Sequence, residues 1–174
     1  YGLPAAIGAW IAADRRETIC LEGDGSIMMN LQELQTVLTN QLPIKIFLIN
    51  NQGYHSIRQT QTNLFGNHTK IGIGPESGDL SFPSYEKLAV AFGYPYYAAH
   101  SNAEMKMAVE NTLKEEGAVF CEIFASPEQF FEPKSATKRL PDGSLFSPPL
   151  EDLAPFLPEE ELQGNMFIPC ITKK

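Results

Sequence analysis

The sequence predicts an α/β fold of three layers, a mostly parallel sheet with helices on both faces. Two observations carry this. Short apolar runs rich in β-branched residues alternate with segments whose apolar residues follow helical spacing. Strands that alternate with helices are joined by right-handed crossovers, which make the sheet parallel and cover it on both sides. A third observation bears on function. Turns at Gly23 and at Asn50-Asn51 fall at the carboxyl ends of predicted strands, where ligands collect in such sheets.

Taken in order, Pro4 suits the first turn of a helix, and small residues from Ala5 to Ala13 continue it. ETICLE, Glu17 to Glu22, reads as a short buried strand, followed by a turn from Gly23 to Ser26. Ile27, Leu31, Leu34 and Leu38 follow helical spacing and predict a helix over 27–38. After Pro43, IKIFLIN from Ile44 to Asn50 is β-branched and apolar, a central strand. The segment from Asn51 to Ser81, rich in Gly, Asn, Gln and Thr, reads as one long loop, and such loops in compact domains are usually functional or disordered. Helical spacing returns from Ser84 to Phe92, with Gly93 as the stop. A strand is expected over Tyr94 to Ala98. Ser101 and Glu104 form a capping-box pattern for a helix to about Glu116. VFCEIF, Val119 to Phe124, is a further strand.

At 174 residues the chain has room for one domain with a proper core. Hydrophobic residues make up 43% and charged residues 20%, which is ordinary for a globular protein. A net charge of −8 argues against a general electrostatic grip on nucleic acid or an anionic membrane. A bound phosphate must then rely on backbone amides and a bridging cation. Cys20, Cys121 and Cys170 are too few and too scattered for a disulfide framework or a zinc knuckle, and Cys20 and Cys121, inside apolar runs, read as buried, reduced thiols of a cytoplasmic protein. No apolar run approaches the ~20 residues of a membrane-spanning helix. The opening YGLPAAIGAW lacks an initiator methionine and starts inside a helical pattern, as expected of a fragment of a longer polypeptide. Residues 126–174 hold eight of the thirteen prolines, with short apolar bursts such as FSPPLEDLAPFL and the acidic run Glu159-Glu160-Glu161. They are expected to form an extended arm packed on the 1–125 domain.

The chemistry concentrates in EGDGSIMMNLQELQ, Glu22 to Gln35, where Asp24 sits between two glycines. Asp24 offers a carboxylate oxygen, Asn51 an amide oxygen, and Gly53 a carbonyl with no side chain beside it. Mg²⁺ prefers near-octahedral oxygen ligands, commonly one or two carboxylates with substrate phosphates and water. Three protein oxygens leave places for two diphosphate oxygens and a water. Gly25 and Ser26 would present N–H groups at the start of the following helix, a natural anion site. Plainer roles exist for each residue: Asp24 and Ser26 as helix caps, Asn51 as an Asx turn. The pairing of both turns at strand ends favours the cation.

G-D-G-S followed, after 24 residues between Gly25 and Asn50, by N-N resembles the thiamine-diphosphate signature of the pyruvate decarboxylase and acetolactate synthase family. The surroundings agree: GLPAAIGA ahead of the first strand, LQELQT in the helix, LPIKIFLINN before the pair. These look most like the large catalytic subunit of acetolactate synthase, over Gly2 to Ala125. The resemblance implies the thiamine-diphosphate-binding fold, with thiamine diphosphate and Mg²⁺ as cofactors. Asp24, Asn51 and Gly53 would be metal ligands, and Gly25, Ser26 and Tyr54 would line the diphosphate. The implied reaction removes carbon dioxide from a 2-keto acid and transfers the acyl unit, the cofactor storing the electrons.

In that family the activating glutamate comes from a separate pyrimidine-binding domain, usually of a neighbouring subunit, and nothing here matches it. No catalytic residue is therefore assigned. The implied partners are that domain, in the same or a neighbouring subunit of a homodimer or homotetramer, and a small 2-keto acid. Acetolactate synthases usually follow the asparagine pair with a histidine-containing turn, whereas this chain reads NNQGYHSIRQTQ. Relatives acting on other keto acids or sugar-derived ketones often carry Gly-Tyr there, so a simple decarboxylase or C–C-cleaving enzyme stands as the alternative. A non-catalytic paralogue that assembles with an active partner is a third. His55 could face substrate or solvent, His68 and His100 are given no role, and Arg58 is expected in a surface ion pair.

Overall fold

The computed structural model describes residues 1–14, 16–66 and 70–168. They form two compact units, Tyr1–Gln129 and the residues from Phe130 onward.

In the first unit four strands, β1 (Thr18–Gly23), β2 (Ile44–Asn50), β3 (Tyr96–Ala99) and β4 (Val119–Phe124), make one sheet in the order β1-β2-β4-β3. All pairs are parallel, with Gly23 beside Ile49 and Asn50 beside Phe124, so the carboxyl ends of β1, β2 and β4 line one rim. Three helices pack on one face: α1 (Gly2–Ala12), α3 (Glu33–Thr39) and α5 (Tyr85–Phe92). They bury Leu3, Ala6, Leu34, Val37, Tyr85 and Ala89 against Cys20, Ile44, Ile46, Leu48 and Phe120. On the other face α6 (Asn102–Lys114) sets Ala108, Met105 and Val109 against Phe47, Ala99 and Cys121. Helices on both faces of a parallel sheet give the expected three-layer α/β fold. Strand β2 is buried on both sides, which is why IKIFLIN reads as a continuous apolar run.

The predicted helix over 27–38 is broken. A first helical turn, α2 (Asp24–Ile27), opens at Asp24 itself, a 3₁₀ turn follows over Met28–Asn30, and α3 starts at Glu33. Leu34 and Gln35 bond back three residues to Leu31 and Gln32, so the chain re-initiates while the apolar stripe stays aligned. The segment read as one long loop contains α4 (His55–Phe65) and a 3₁₀ turn at Pro75–Ser77. Its helix went unread because its buried positions are His55, Arg58 and Gln59. A helix that buries polar side chains leaves no apolar period to detect.

Gly93 is the stop expected for α5, at φ 94° in the left-handed region. Tyr94 still belongs to that cap, its N–H bonding to Ala89 O, and the following strand starts two residues later than predicted. The Ser101 hydroxyl makes no cap bond, while Glu104 Oε2 accepts from His100 N at 2.8 Å, so the box is half formed and displaced by one residue. Helix α6 ends at Lys114, where the buried Lys45 ammonium donates to Glu115 O and, at 2.8 Å, to Gly117 O. A cation from the sheet thus closes the negative end of the helix above it.

The second unit has structure of its own. Strands β5 (Lys138–Arg139) and β6 (Leu145–Phe146) pair antiparallel around Asp142 and Gly143, with Asp142 Oδ1 accepting from Ser144 N at 2.9 Å. Lys138 Nζ meets Asp152 Oδ2 at 2.6 Å and lies 4.0 Å from the Phe156 ring centre. Glu159, Glu160 and Glu161 occupy the first turn of α7 (Glu159–Asn165), where the helix dipole favours carboxylates.

Among the described residues no helix is long and apolar enough to cross a membrane. Cys20 and Cys121 are buried free thiols, and burial pushes the Cys20 thiol up to about 11. Cys170 and His68 lie outside the described residues.

Candidate cofactor-binding site

Asp24 follows β1 directly, and its side chain is closed off from solvent at 1% exposure. Oδ1 accepts from Gly25 N at 2.7 Å and Oδ2 from Gly53 N at 2.8 Å. Gly23, not Asp24, holds the cap position of α2, and no side-chain cap bond forms there. The plainer reading of Asp24 as a helix cap therefore does not describe it. Its carboxylate instead ties together two turns that lie 29 residues apart in the chain. Burial raises the Asp24 carboxyl above its usual range, opposed by the N–H groups of Gly25, Gly53 and Gln52 and by the Arg58 charge.

The glycines have steric reasons. A Cβ on Gly25 would lie 2.6 Å from Cε1 of Tyr54, whose hydroxyl donates to Gly25 O at 3.2 Å. Gly53 has φ 133°, and a Cβ there would lie 2.1 Å from Ile73 O. The neighbouring Tyr54 N–H donates to the same Ile73 carbonyl at 2.8 Å. The 51–54 turn is thus packed backbone to backbone against residues 72–74, a contact that only glycine allows. Ser26 lies in the single turn of α2, and Asn51 in the bend after β2, both half-buried.

Arg58 is 6% exposed, and its guanidinium faces the turn. NH1 donates to Asn51 O at 3.2 Å, NH2 to Gln52 O at 2.9 Å, and Nε to Glu76 Oε2 at 2.7 Å. NH1 also meets His55 Nδ1 at 3.0 Å. A guanidinium can only donate, so Nδ1 accepts and the His55 proton sits on Nε2. Arg58 does form the expected ion pair, with Glu76, but its guanidinium is buried rather than at the surface, and His55 is a buried ring beside the turn at 3% exposure.

The rim continues past Asn50. Its Nδ2 donates to Glu122 Oε1 at 2.6 Å, and Tyr96 OH donates to Glu122 Oε2 at 2.6 Å. Asn50 Oδ1 accepts from Gln52 N at 3.1 Å, so the first asparagine of the pair anchors the turn to the sheet. Tyr85 OH donates to Asp24 O at 2.6 Å and fixes the other side. Tyr85, Asn50, Tyr96, Glu122 and His100 line a cavity of about 430 Å³ on this rim. His100 stacks on Phe124 with ring centres 4.3 Å apart.

Four of the six residues expected at the site are linked directly: Asp24 with Gly25 and Gly53, and Gly25 with Tyr54. Asn51 joins them through the turn it shares with Gly53, and Ser26 through the helical turn that Asp24 opens. Among the described residues no three His, Cys, Asp or Glu side chains gather as a metal group. A cation here would rest on the Asp24 carboxylate and the neutral oxygens of Asn51 and Gly53. That all-oxygen set, with one charge, fits Mg²⁺ better than zinc or copper. Tyr85 and Glu122 escaped the sequence reading, and Arg58 stayed outside the expected site, because an isolated Arg, Tyr or Glu has no motif and only the fold brings it to the rim.

Residues 1–123 match the family described as "Thiamine pyrophosphate enzyme, C-terminal TPP binding domain". The acetolactate synthase large subunit of Porphyra purpurea is 37% identical over 128 residues, 71% of this chain and 20% of that protein. The Escherichia coli K12 isozyme 2 large subunit is 32% identical over 154 residues, 88% of this chain and 26% of the relative. Among solved structures, a Rhodococcus jostii RHA1 thiamine diphosphate-dependent 4-hydroxybenzoylformate decarboxylase superposes with a TM-score of 0.61 at 26% identity. It covers 72% of this chain and 23% of the other. The chain spans about a fifth to a quarter of the length of the curated relatives it matches. With the G-D-G-S and N-N turns meeting through the Asp24 carboxylate, the chain belongs to the thiamine pyrophosphate enzymes and carries their C-terminal cofactor-binding domain.

Proposed function

We propose that this chain is the diphosphate- and Mg²⁺-binding part of an enzyme that decarboxylates a 2-keto acid and transfers the acyl unit, as an acetolactate synthase does. The observation that carries the reading is the Asp24 to Gly53 bond, which closes two strand-end turns around one buried carboxylate. Asp24, Asn51 and Gly53 hold the cation through oxygen. Gly25, whose N–H is held by Asp24 Oδ1, and Ser26 lie against the diphosphate at the start of α2, and Tyr54 lines it. When bound, thiamine diphosphate supplies the electron sink that lets a 2-keto acid lose carbon dioxide. The residues of this chain act by binding, by orienting the cofactor's tail and by offsetting its charge. The activating glutamate comes from a pyrimidine-binding domain, of the same or a neighbouring subunit, within a homo-oligomer.

A simple decarboxylase is the second reading. Gly53-Tyr54 in place of a histidine-containing turn favours it, and the similar solved structure is itself a decarboxylase by description. Product analysis separates the two. With pyruvate as substrate, the full-length enzyme should form acetolactate; acetaldehyde alone would replace the first reading by the second.

A further inference from the structure

Resting on the reading of Asp24, Asn51 and Gly53 as a cation site, we propose that Arg58 is the positioning residue that pre-forms it, by holding the 51–53 turn from behind. Four of the five guanidinium N–H groups are committed, two of them to the successive carbonyls of Asn51 and Gln52.

Peptide planarity turns that grip into an orientation. In a trans peptide the C=O and N–H point in opposite directions. Drawing the Gln52 carbonyl toward Arg58 sends the Gly53 N–H the other way, where it meets Asp24 Oδ2 at 2.8 Å. The preceding unit behaves alike: Asn51 O faces Arg58, and Gln52 N donates to Asn50 Oδ1 at 3.1 Å. One peptide group therefore spans the Arg58 cation and the Asp24 anion, each polarising it for the other.

The turn needs such a hold. Gln52 has φ 59°, in the left-handed region, a conformation that persists in a non-glycine residue only where surrounding contacts over-determine it. Glu76 supplies the counterweight, taking Arg58 Nε on Oε2 while Lys70 engages Oε1. Through Glu76 the 70–79 segment, which also packs Ile73 and Gly74 on Gly53, is coupled to the turn. Arg58 touches neither cation nor diphosphate in this scheme; it acts through the backbone.

The test is made on the full-length protein with Arg58→Lys, which keeps the charge but loses the fork. Two quantities are read: exchange of the Gly53 amide proton without cofactor, and the Mg²⁺ concentration giving half-maximal thiamine diphosphate binding. The clamp predicts Gly53 exchange at least tenfold faster, half-saturation at least tenfold higher, and restored binding at saturating Mg²⁺. A merely structural loss would not be rescued by the cation. Wild-type values for both quantities in Arg58→Lys would overturn the inference. If that variant does not fold, Glu76→Gln, at a half-exposed position, replaces it, with about a threefold rise in half-saturation expected and no change contradicting the coupling. Wild-type binding that ignores Mg²⁺ would sink the cation reading instead, while Gly53 exchange would still judge the clamp alone.

Discussion

At the scale of single residues, Asp24 carries a buried charge that the fold only partly compensates. Burial is the largest influence on its carboxyl and raises it. A carboxyl raised in the folded state contributes stability that is fully present below the unfolded value, near ~3.9, and lost as pH rises through the folded value. On that direction Asp24 costs the metal-free chain stability at neutral pH, and a cation bound as proposed would relieve that cost. The gain in Tm from Mg²⁺ with thiamine diphosphate should grow as pH rises through this window and fade on acidification. A gain constant between about pH 4 and about pH 8 would contradict it. Asp24→Ala should abolish metal-dependent binding and leave a folded chain, with retained turnover as the contrary result. Gly53→Ala should be worse for the fold, because it meets the Ile73 carbonyl and a strained φ together. A loss of about 2 kcal/mol or more in urea unfolding is expected, and a change under about 0.5 kcal/mol would show that the backbone contact relaxes at little cost.

At the scale of elements, helices and strands were legible where their buried face is apolar. Strands β2 and β4 announce themselves through IKIFLIN and VFCEIF, and α5 through its apolar spacing and Gly93. Helix α4 did not, because its inward positions are His55, Arg58 and Gln59, polar residues of which Arg58 bonds the 51–53 turn. The same cause hid the burial of Arg58, which was expected at the surface. The two turns that meet through Asp24 could be picked out because Asp24, Asn51 and Gly53 sit in short motifs at strand ends; Tyr85 and Glu122 could not, since their bonds arise from register and packing. Lys45 is another case, a lysine in a central strand that the apolar pattern alone would call an error. It is 2% exposed and bonds the carbonyls beyond α6. Lys45→Met should thus destabilise by about 1–3 kcal/mol in chemical denaturation, despite replacing a buried charge with an apolar chain. Unchanged stability would mean that solvent serves those carbonyls as well.

At the scale of the whole molecule, the chain is acidic, with a net charge of −8, yet is proposed to hold a diphosphate. Like charges repel, and Arg58, the cation behind the turn, is committed to the turn carbonyls and Glu76 rather than free for the phosphates. Backbone N–H groups alone compensate a diphosphate poorly, which is the physical reason for proposing a divalent cation between the two anions. The fold brings the carboxyl ends of adjacent β1 and β2 together, so that in this proposal one turn would give the carboxylate and the other the neutral oxygens. The most direct measurement is calorimetric titration of thiamine diphosphate into the full-length protein, with Mg²⁺ and again with a chelator. Binding with Mg²⁺, and at least a hundredfold weaker binding under chelation, is the predicted result. Equal affinity in both, or Mg²⁺-dependent binding that survives Asp24→Ala, would contradict the account.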